Sequence, residues 1–198
     1  MLAATSLSAA ERALLLHLAR AAIGERMLGG GCLARALEQL RVTPALGRHA
    51  AVFVTLKART GAASPRLRGC IGVMQSALPL FSEVVETAPK AAFEDPRFPP
   101  LAPRELDSVT IELSVLGPLV PLSDAREIAL GLDGVQLVRG SSRGVFLPQV
   151  AREQAWDRER LLSQLSLKSG LDDQAWRSAE LFVFRTERFG EDDQAPGG

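Results

Sequence analysis

Leu67-Arg68-Gly69-Cys70-Ile71-Gly72 is the most informative stretch of this chain, and it places one of only two cysteines between two glycines. Glycine removes a side chain and permits backbone angles that other residues avoid, so these glycines indicate close backbone approach or a bulge. Arg68 sets a fixed positive charge nearby, which would favour thiolate over thiol at Cys70. Two interpretations stay open: a reactive cysteine, or a small buried residue packed against backbone.

The residues before the hexapeptide predict that it belongs to a hairpin. Apolar and polar residues alternate over 52–57, which is typical of a half-buried strand. A turn-rich segment, 60–66, separates this strand from 67–73, which can pair back on it. The hexapeptide is therefore expected in a strand or at its exit.

The rest of the chain predicts a mixture of helices and strands. Ser8 and Glu11 have capping-box spacing and predict a helix that ends at Gly29. Further helices are expected over 33–40, over 79–93 with a kink or split at Pro89, over 123–130, and from Asp157 to 168. Strands are expected over 109–116, 134–138, 145–147 and 181–186. Because strands and helices do not alternate as a parallel crossover series, the expected class is α+β with largely antiparallel sheet.

Composition narrows the function classes. The 23 basic and 23 acidic residues give zero formal charge, so no global field attracts nucleic acid or an anionic membrane. Aromatic residues are few and tyrosine is absent, which further disfavours nucleic-acid binding. The apolar stretch 13–23 contains His17 and Arg20, so it predicts an amphipathic helix, no membrane association and a cytoplasmic protein. Abundant alanine and a preference for arginine over lysine indicate a GC-rich bacterial genome.

Candidate chemistry is limited to a few side chains. With only His17 and His49 and no close cysteine pair, no metal site is predicted, although a carboxylate-rich magnesium or calcium site stays open. Glu94, Asp95 and Arg97 form a charged cluster beside a proline-rich crossing. They could pair with one another and end the preceding helix, or they could orient a polar substrate.

Several ordered blocks match one known family. After the hexapeptide come residues 91–98 with 100–101, then Glu112-Leu113-Ser114-Val115-Leu116. The remaining blocks are 134–135, 146–150, Trp156, 168–171 and 189–191. In these blocks the chain resembles the AMMECR family, whose prokaryotic members are called AmmeMemoRadiSam system protein A. The resemblance spans roughly residues 8–191, nearly the whole chain.

The resemblance implies a fold and a biological context. It implies one domain over 8–191, with two unequal lobes that each contain an antiparallel sheet flanked by helices. The larger lobe would hold both termini, and a cleft would lie between the lobes. Separately, the acidic, Pro-Gly composition after Glu191 predicts that residues 192–198 form a disordered tail. Prokaryotic relatives are associated with a Memo-like protein, similar to metal-dependent dioxygenases, and with a radical SAM enzyme. The resemblance supplies no agreed reaction, cofactor or oligomeric state.

Three functional hypotheses follow. The first is an enzyme with Cys70 as thiolate nucleophile, Arg68 favouring the thiolate, and Glu94, Asp95 or Arg97 binding a polar substrate. A base is not evident, although folding could bring His49 close. The second is a non-catalytic adaptor that docks on the Memo-like and radical SAM proteins. The third, a nucleic-acid-associated factor, is the least favoured.

Overall fold

The structure is a computed structural model that describes residues 6–59 and 65–194. Within these ranges it contains six α-helices and eight strands. The helices are α1 (Ala9–Leu28), α2 (Cys32–Glu38), α3 (Pro44–Gly47), α4 (Leu80–Phe93), α5 (Pro148–Glu153) and α6 (Arg158–Lys168). The strands are β1 (Val52–Ala58), β2 (Arg66–Gly72), β3 (Val109–Leu116), β4 (Val120–Leu122), β5 (Gly134–Arg139), β6 (Ser142–Phe146), β7 (Glu180–Phe184) and β8 (Thr186–Gly190).

The strands form two four-stranded antiparallel sheets, with orders β2-β1-β3-β8 and β4-β7-β5-β6. The predicted α+β class is therefore confirmed. The chain divides into two compact units, each containing one sheet. The first unit combines the chain up to Val115 with the segment from Glu187 onward, and the second runs from Leu116 to Thr186.

The first helix begins where the capping box predicts. The Ser8 hydroxyl accepts the Glu11 N–H at 3.3 Å, and the Glu11 carboxylate accepts the Ser8 N–H at 2.7 Å. These reciprocal bonds satisfy amides that have no partner within the helix. Gly29, with φ of 68°, ends α1 in a conformation that favours glycine.

One face of the first sheet is apolar and packs against helices. Val52, Val54 and Leu56 of β1 are fully buried together with side chains of α1 and α4. Each such side chain contributes about 1.5–3 kcal/mol relative to an exposed position. The apolar residues that alternate over 52–57 therefore face the core, as the sequence pattern predicted. Strand β2 pairs antiparallel with β1, which confirms the predicted hairpin.

The second unit packs its sheet against α6. The core contains Leu137 of β5 together with Leu161, Leu162 and Leu165 of the helix. The Asp157 carboxylate accepts the Arg160 N–H at 2.8 Å, which confirms the predicted start of this helix.

One prediction about helices is corrected, and of the kink or split expected at Pro89 only the split is excluded. Residues 123–130 do not form an α-helix, because only Ala125–Glu127 makes a single 3-10 turn. Ile128 then turns to an extended conformation that buries its side chain in the second core, and this burial ends the turn. Pro89 does not split α4, which continues from Leu80 to Phe93.

The predicted disorder after Glu191 is also corrected in part. Glu191–Gln194 forms a 3-10 turn. The Glu191 carboxylate binds the Arg20 guanidinium at 2.5 and 2.6 Å and accepts the Ile111 N–H at 2.8 Å. Residues 195–198 lie outside the described residues, as do 60–64 of the predicted turn. Over the residues described, no helix has the length and apolar composition that crossing a membrane requires.

Gly69 brings β2 unusually close to α4. A Cβ at this position would lie 2.1 Å from the Ala91 carbonyl oxygen, a distance that backbone atoms cannot tolerate. The glycine is therefore required because the helix passes directly over the strand.

We expect Gly69→Ala to destabilise the fold by about 3 kcal/mol, because the added methyl group must push α4 away from β2. Urea denaturation followed by circular dichroism measures the change. Gly24→Ala is the matched control: its Cβ would meet the Cys32 sulfur at an ordinary 3.6 Å, and alanine favours the helix. Equal stability of the two variants would contradict the steric explanation.

Candidate functional site

The hexapeptide lies on β2, an edge strand of the first sheet. Its pairing with β1 shifts between Leu56↔Gly69 and Lys57↔Leu67, which leaves Arg68 as the extra residue of a β-bulge. The bulge and the close approach at Gly69 are the two features that the glycines indicated.

Gly72 is required for the same kind of reason as Gly69. A Cβ there would lie 2.3 Å from ring atoms of Phe53, its partner on β1. Neither Gly69 nor Gly72 has a positive φ. Both glycines therefore provide space, and the unusual backbone angles considered in the sequence analysis are not used here.

Cys70 lies directly opposite Thr55 on β1. The Thr55 hydroxyl donates a hydrogen bond to the Cys70 sulfur over 3.3 Å. The backbone N–H and C=O of Cys70 bond to groups outside the hairpin, so this is a non-hydrogen-bonded pair, in which side chains approach most closely. The half-buried sulfur is thus held against a hydroxyl donor.

Asp95 binds the outward side of the edge strand. Its carboxylate accepts the Cys70 N–H at 2.8 Å and also accepts hydrogen bonds from Arg97 at 2.7 and 2.9 Å. The side chain is only 2% exposed. The Arg97 hydrogen bonds, followed by the Cys70 N–H, hold the pKa of Asp95 well below its ordinary value, although burial opposes them.

Arg97 completes a clamp on Cys70. Its guanidinium donates to the Cys70 carbonyl oxygen at 3.2 Å while it binds Asp95. The hydrogen bonds to Asp95 raise the pKa of Arg97, and interaction with the Cys70 side chain adds to this effect. About half of the Arg97 side chain is exposed, so the cation both contacts Cys70 and faces solvent.

Arg68 has a different partner from the one that the sequence analysis gave it. Its guanidinium binds the Glu105 carboxylate through two hydrogen bonds, at 2.8 and 2.9 Å. These bonds, with the Ala102 N–H, lower the pKa of Glu105 to about 2. Arg68 thus anchors the bulge, and the guanidinium that contacts Cys70 belongs to Arg97.

Glu94 has a partner outside the clamp that Asp95 and Arg97 form on Cys70. Its carboxylate forms a half-exposed ion pair with Arg26, at the end of α1, over 2.5 Å. Of the predicted charged cluster, the structure therefore brings Asp95 and Arg97 to Cys70 and pairs Glu94 with a helix.

A row of polar residues crosses the sheet from Cys70. Thr55 pairs with Cys70 on one side and with Glu112 of β3 on the other, so the three side chains share one face. The Glu112 carboxylate binds Lys57 at 2.8 Å and lies 3.6 Å from Arg188. The sequence analysis did not single out Thr55 or Arg188, although the alternation over 52–57 already placed Thr55 and Lys57 on one face.

The second cysteine has a contrasting environment. Cys32 lies at the start of α2, and its thiol donates to the Glu25 carboxylate and the Ala21 carbonyl oxygen, each at 3.3 Å. Burial, together with this carboxylate, raises the pKa of the Cys32 thiol. Both cysteines are free, so the molecule carries two thiols that differ in the charge beside them.

Metal ligation finds no support in the part of the chain that the structure describes. Within residues 6–59 and 65–194, no group of three or more His, Cys, Asp or Glu side chains is placed to hold a metal ion. His49 pairs in an isolated β-bridge with Pro79.

Comparison with known proteins identifies the family. The AMMECR1 family pattern matches residues 16–189. A protein of Thermofilum pendens is 44% identical over 194 residues, covering 90% of this chain and 88% of the relative. A protein of Thermococcus gammatolerans is 40% identical, covering 86% of this chain and 84% of its own. The chain therefore belongs to the AMMECR1 family.

A solved structure shares the fold. An uncharacterized protein from Pyrococcus horikoshii, known from its crystal structure, superposes with a TM-score of 0.75 at 32% identity. The match covers 89% of each chain. These relatives are archaeal, and a bacterial source for this chain stays a prediction.

We expect Asp95→Asn to destabilise the protein by roughly 2 to 3 kcal/mol at pH 7, because it breaks a buried ion pair and weakens a bond to the edge strand. The depressed pKa of Asp95 means that its contribution is complete above the ordinary value of 3.8 and is lost as pH falls further. The difference between wild type and variant should therefore narrow below that pH.

Urea titrations at several pH values measure this difference. Asp124→Asn is the control, because Asp124 and Arg126 form a more exposed pair with the same spacing. If Asp95→Asn lowers the free energy of unfolding no more than Asp124→Asn does, the stabilising role of the clamp is contradicted.

Proposed function

We propose that this protein uses the Cys70 thiolate as a nucleophile toward a polar substrate. The observation that carries the proposal is that the Thr55 hydroxyl donates to the Cys70 sulfur while the Arg97 guanidinium, a fixed cation, binds the carbonyl oxygen of the same residue. A neighbouring cation and donors to sulfur stabilise a thiolate, which is the reactive form of cysteine.

The surrounding residues take supporting roles in this proposal. Asp95 holds Arg97 in place and fixes the Cys70 backbone, so it is a positioning residue. Arg68 has an indirect role, because it binds Glu105 and so holds the β-bulge next to Cys70 in place. The exposed part of Arg97 is the group that we assign to substrate contact. Glu94, paired with Arg26, is left without a role in the reaction.

The step itself requires little of the protein. The thiolate sulfur forms a bond to an electrophilic carbon of the substrate, and the electron pair displaced from that carbon moves to a leaving group or to a carbonyl oxygen. Before this step the thiol proton passes to water, because Cys70 is partly exposed. Arg97 then faces the charge that develops beside the sulfur.

Iodoacetamide tests the proposal directly because the chain contains its own reference thiol. We expect Cys70 to be alkylated about ten-fold or more faster than Cys32 at neutral pH, since a carboxylate and burial disfavour the Cys32 thiolate. Mass spectrometry of the two cysteine peptides gives both rates in one sample.

Two variants measure the contributions of Thr55 and Arg97 separately in the same assay. Thr55→Val and Arg97→Gln should each slow Cys70 without changing Cys32, and the valine variant preserves the ion pair that anchors β2. Slow labelling of Cys70 in the folded wild type would exclude the nucleophile and favour the adaptor hypothesis.

We place this activity in a modification pathway with a Memo-like protein and a radical SAM enzyme, as the family resemblance implies. If the proteins act together, the tagged chain should retain the Memo-like protein of the same genome at micromolar concentrations. Cys70→Ser should bind equally well, because the thiol is used in chemistry. Absence of any complex would count against the pathway and would leave the thiol chemistry to be judged by alkylation.

A further inference from the structure

On the face of the first sheet that bears Cys70, two cations share one carboxylate. Lys57 of β1 and Arg188 of β8 both approach one oxygen of the Glu112 carboxylate, at 2.8 and 3.6 Å. A single carboxylate therefore lies between two cations, each about one third or more exposed.

The strand pattern places these side chains on the face that bears Cys70. Cys70, Thr55 and Glu112 form one cross-strand row, and Lys57 follows Thr55 by two residues on β1. On β8, Phe189 is buried in the helix-facing core, so Arg188 points the opposite way, toward Glu112.

The ion pairs on this face show which charges are balanced. Asp95 neutralises Arg97 at the edge of the sheet. Glu112 neutralises only one of Lys57 and Arg188. Among the described side chains in these two groups, one positive charge remains unbalanced, and each cation has more N–H donors than its contact with Glu112 occupies.

We propose that Lys57 and Arg188 bind an anionic group, a carboxylate or phosphate, of the substrate that reacts at Cys70. This inference rests on the proposed function and names its substrate class. Glu112 holds the two cations in the row next to Thr55, so their geometry is set before a ligand arrives. Lysine and arginine side chains are the usual partners of such anions because they offer several charged donors.

The choice of alkylating reagent tests this proposal. Iodoacetate and iodoacetamide transfer similar groups to sulfur with loss of iodide, but only iodoacetate carries a carboxylate. We expect the ratio of iodoacetate to iodoacetamide rates to be about five-fold or more higher at Cys70 than at Cys32. Cys32 is the internal reference because Glu25 lies beside it and repels the anionic reagent.

Charge variants assign the effect to named residues. Lys57→Gln and Arg188→Gln should each lower the ratio at Cys70 by about three-fold at low ionic strength, while Lys57→Arg and Arg188→Lys should keep it. Arg41→Gln removes the same charge from an exposed position and should leave the ratio unchanged. Either glutamine variant can be read alone if the other fails to fold.

Competing anions distinguish the two ligand chemistries. Slower reaction of Cys70 with iodoacetate in acetate than in chloride of equal ionic strength supports a carboxylate site, and slower reaction in inorganic phosphate supports a phosphate site. No protection by either anion, equal ratios at the two cysteines, or a ratio insensitive to both glutamine variants would overturn the proposal. If the iodoacetate-to-iodoacetamide ratio is high at Cys70 but iodoacetamide labels Cys70 slowly, the proposed nucleophile is overturned and the proposed anion site is supported.

Discussion

The ion pair between Asp95 and Arg97, bound to the backbone of Cys70, is the interaction on which the rest of this site depends. An edge strand has backbone groups that no neighbouring strand satisfies. At Cys70 those groups are satisfied by a carboxylate for the N–H and a guanidinium for the C=O. These hydrogen bonds therefore join the hexapeptide to the segment after α4. Gly69 makes this arrangement possible because, without a side chain, it lets the helix pass close to the strand.

The same clamp explains why the two thiols differ. The Cys70 sulfur accepts a hydrogen bond from Thr55, and the Cys70 carbonyl oxygen accepts one from Arg97, whereas the Cys32 thiol donates to the Glu25 carboxylate. Free cysteine is often a small buried residue, but Cys32 is only partly buried, like Cys70. In the proposed function the hydroxyl and the cation at Cys70 support a thiolate, and in the proposed anion site Lys57 and Arg188 extend the binding surface along the sheet.

The sequence predicted the parts of the fold that local patterns determine. Alternation over 52–57 predicted β1, the capping box predicted the start of α1, and Asp157 marked the start of α6. Local patterns failed where distant partners decide the structure. Ile128 leaves the expected helix to enter a core, and Glu191, which binds Arg20, begins a 3-10 turn that extends to Gln194 in the expected tail.

The candidate site shows the same division. The sequence marked Cys70, Asp95 and Arg97, yet it assigned the charge beside the thiol to Arg68, the adjacent cation in the chain. The bulge at Arg68 and its pairing with Glu105 depend on tertiary contacts that sequence spacing does not reveal. Thr55 was visible only as one residue of an alternating strand, because its importance comes from the register that places it opposite Cys70.

Hydrogen exchange at the Cys70 amide tests the clamp most directly. An outward-facing amide on an edge strand exchanges quickly unless a fixed acceptor protects it. We predict that this amide is protected in the wild type and exchanges about a hundred-fold or more faster in Asp95→Ala, under conditions where both proteins remain folded. Fast exchange at Cys70 in the wild type would contradict the account.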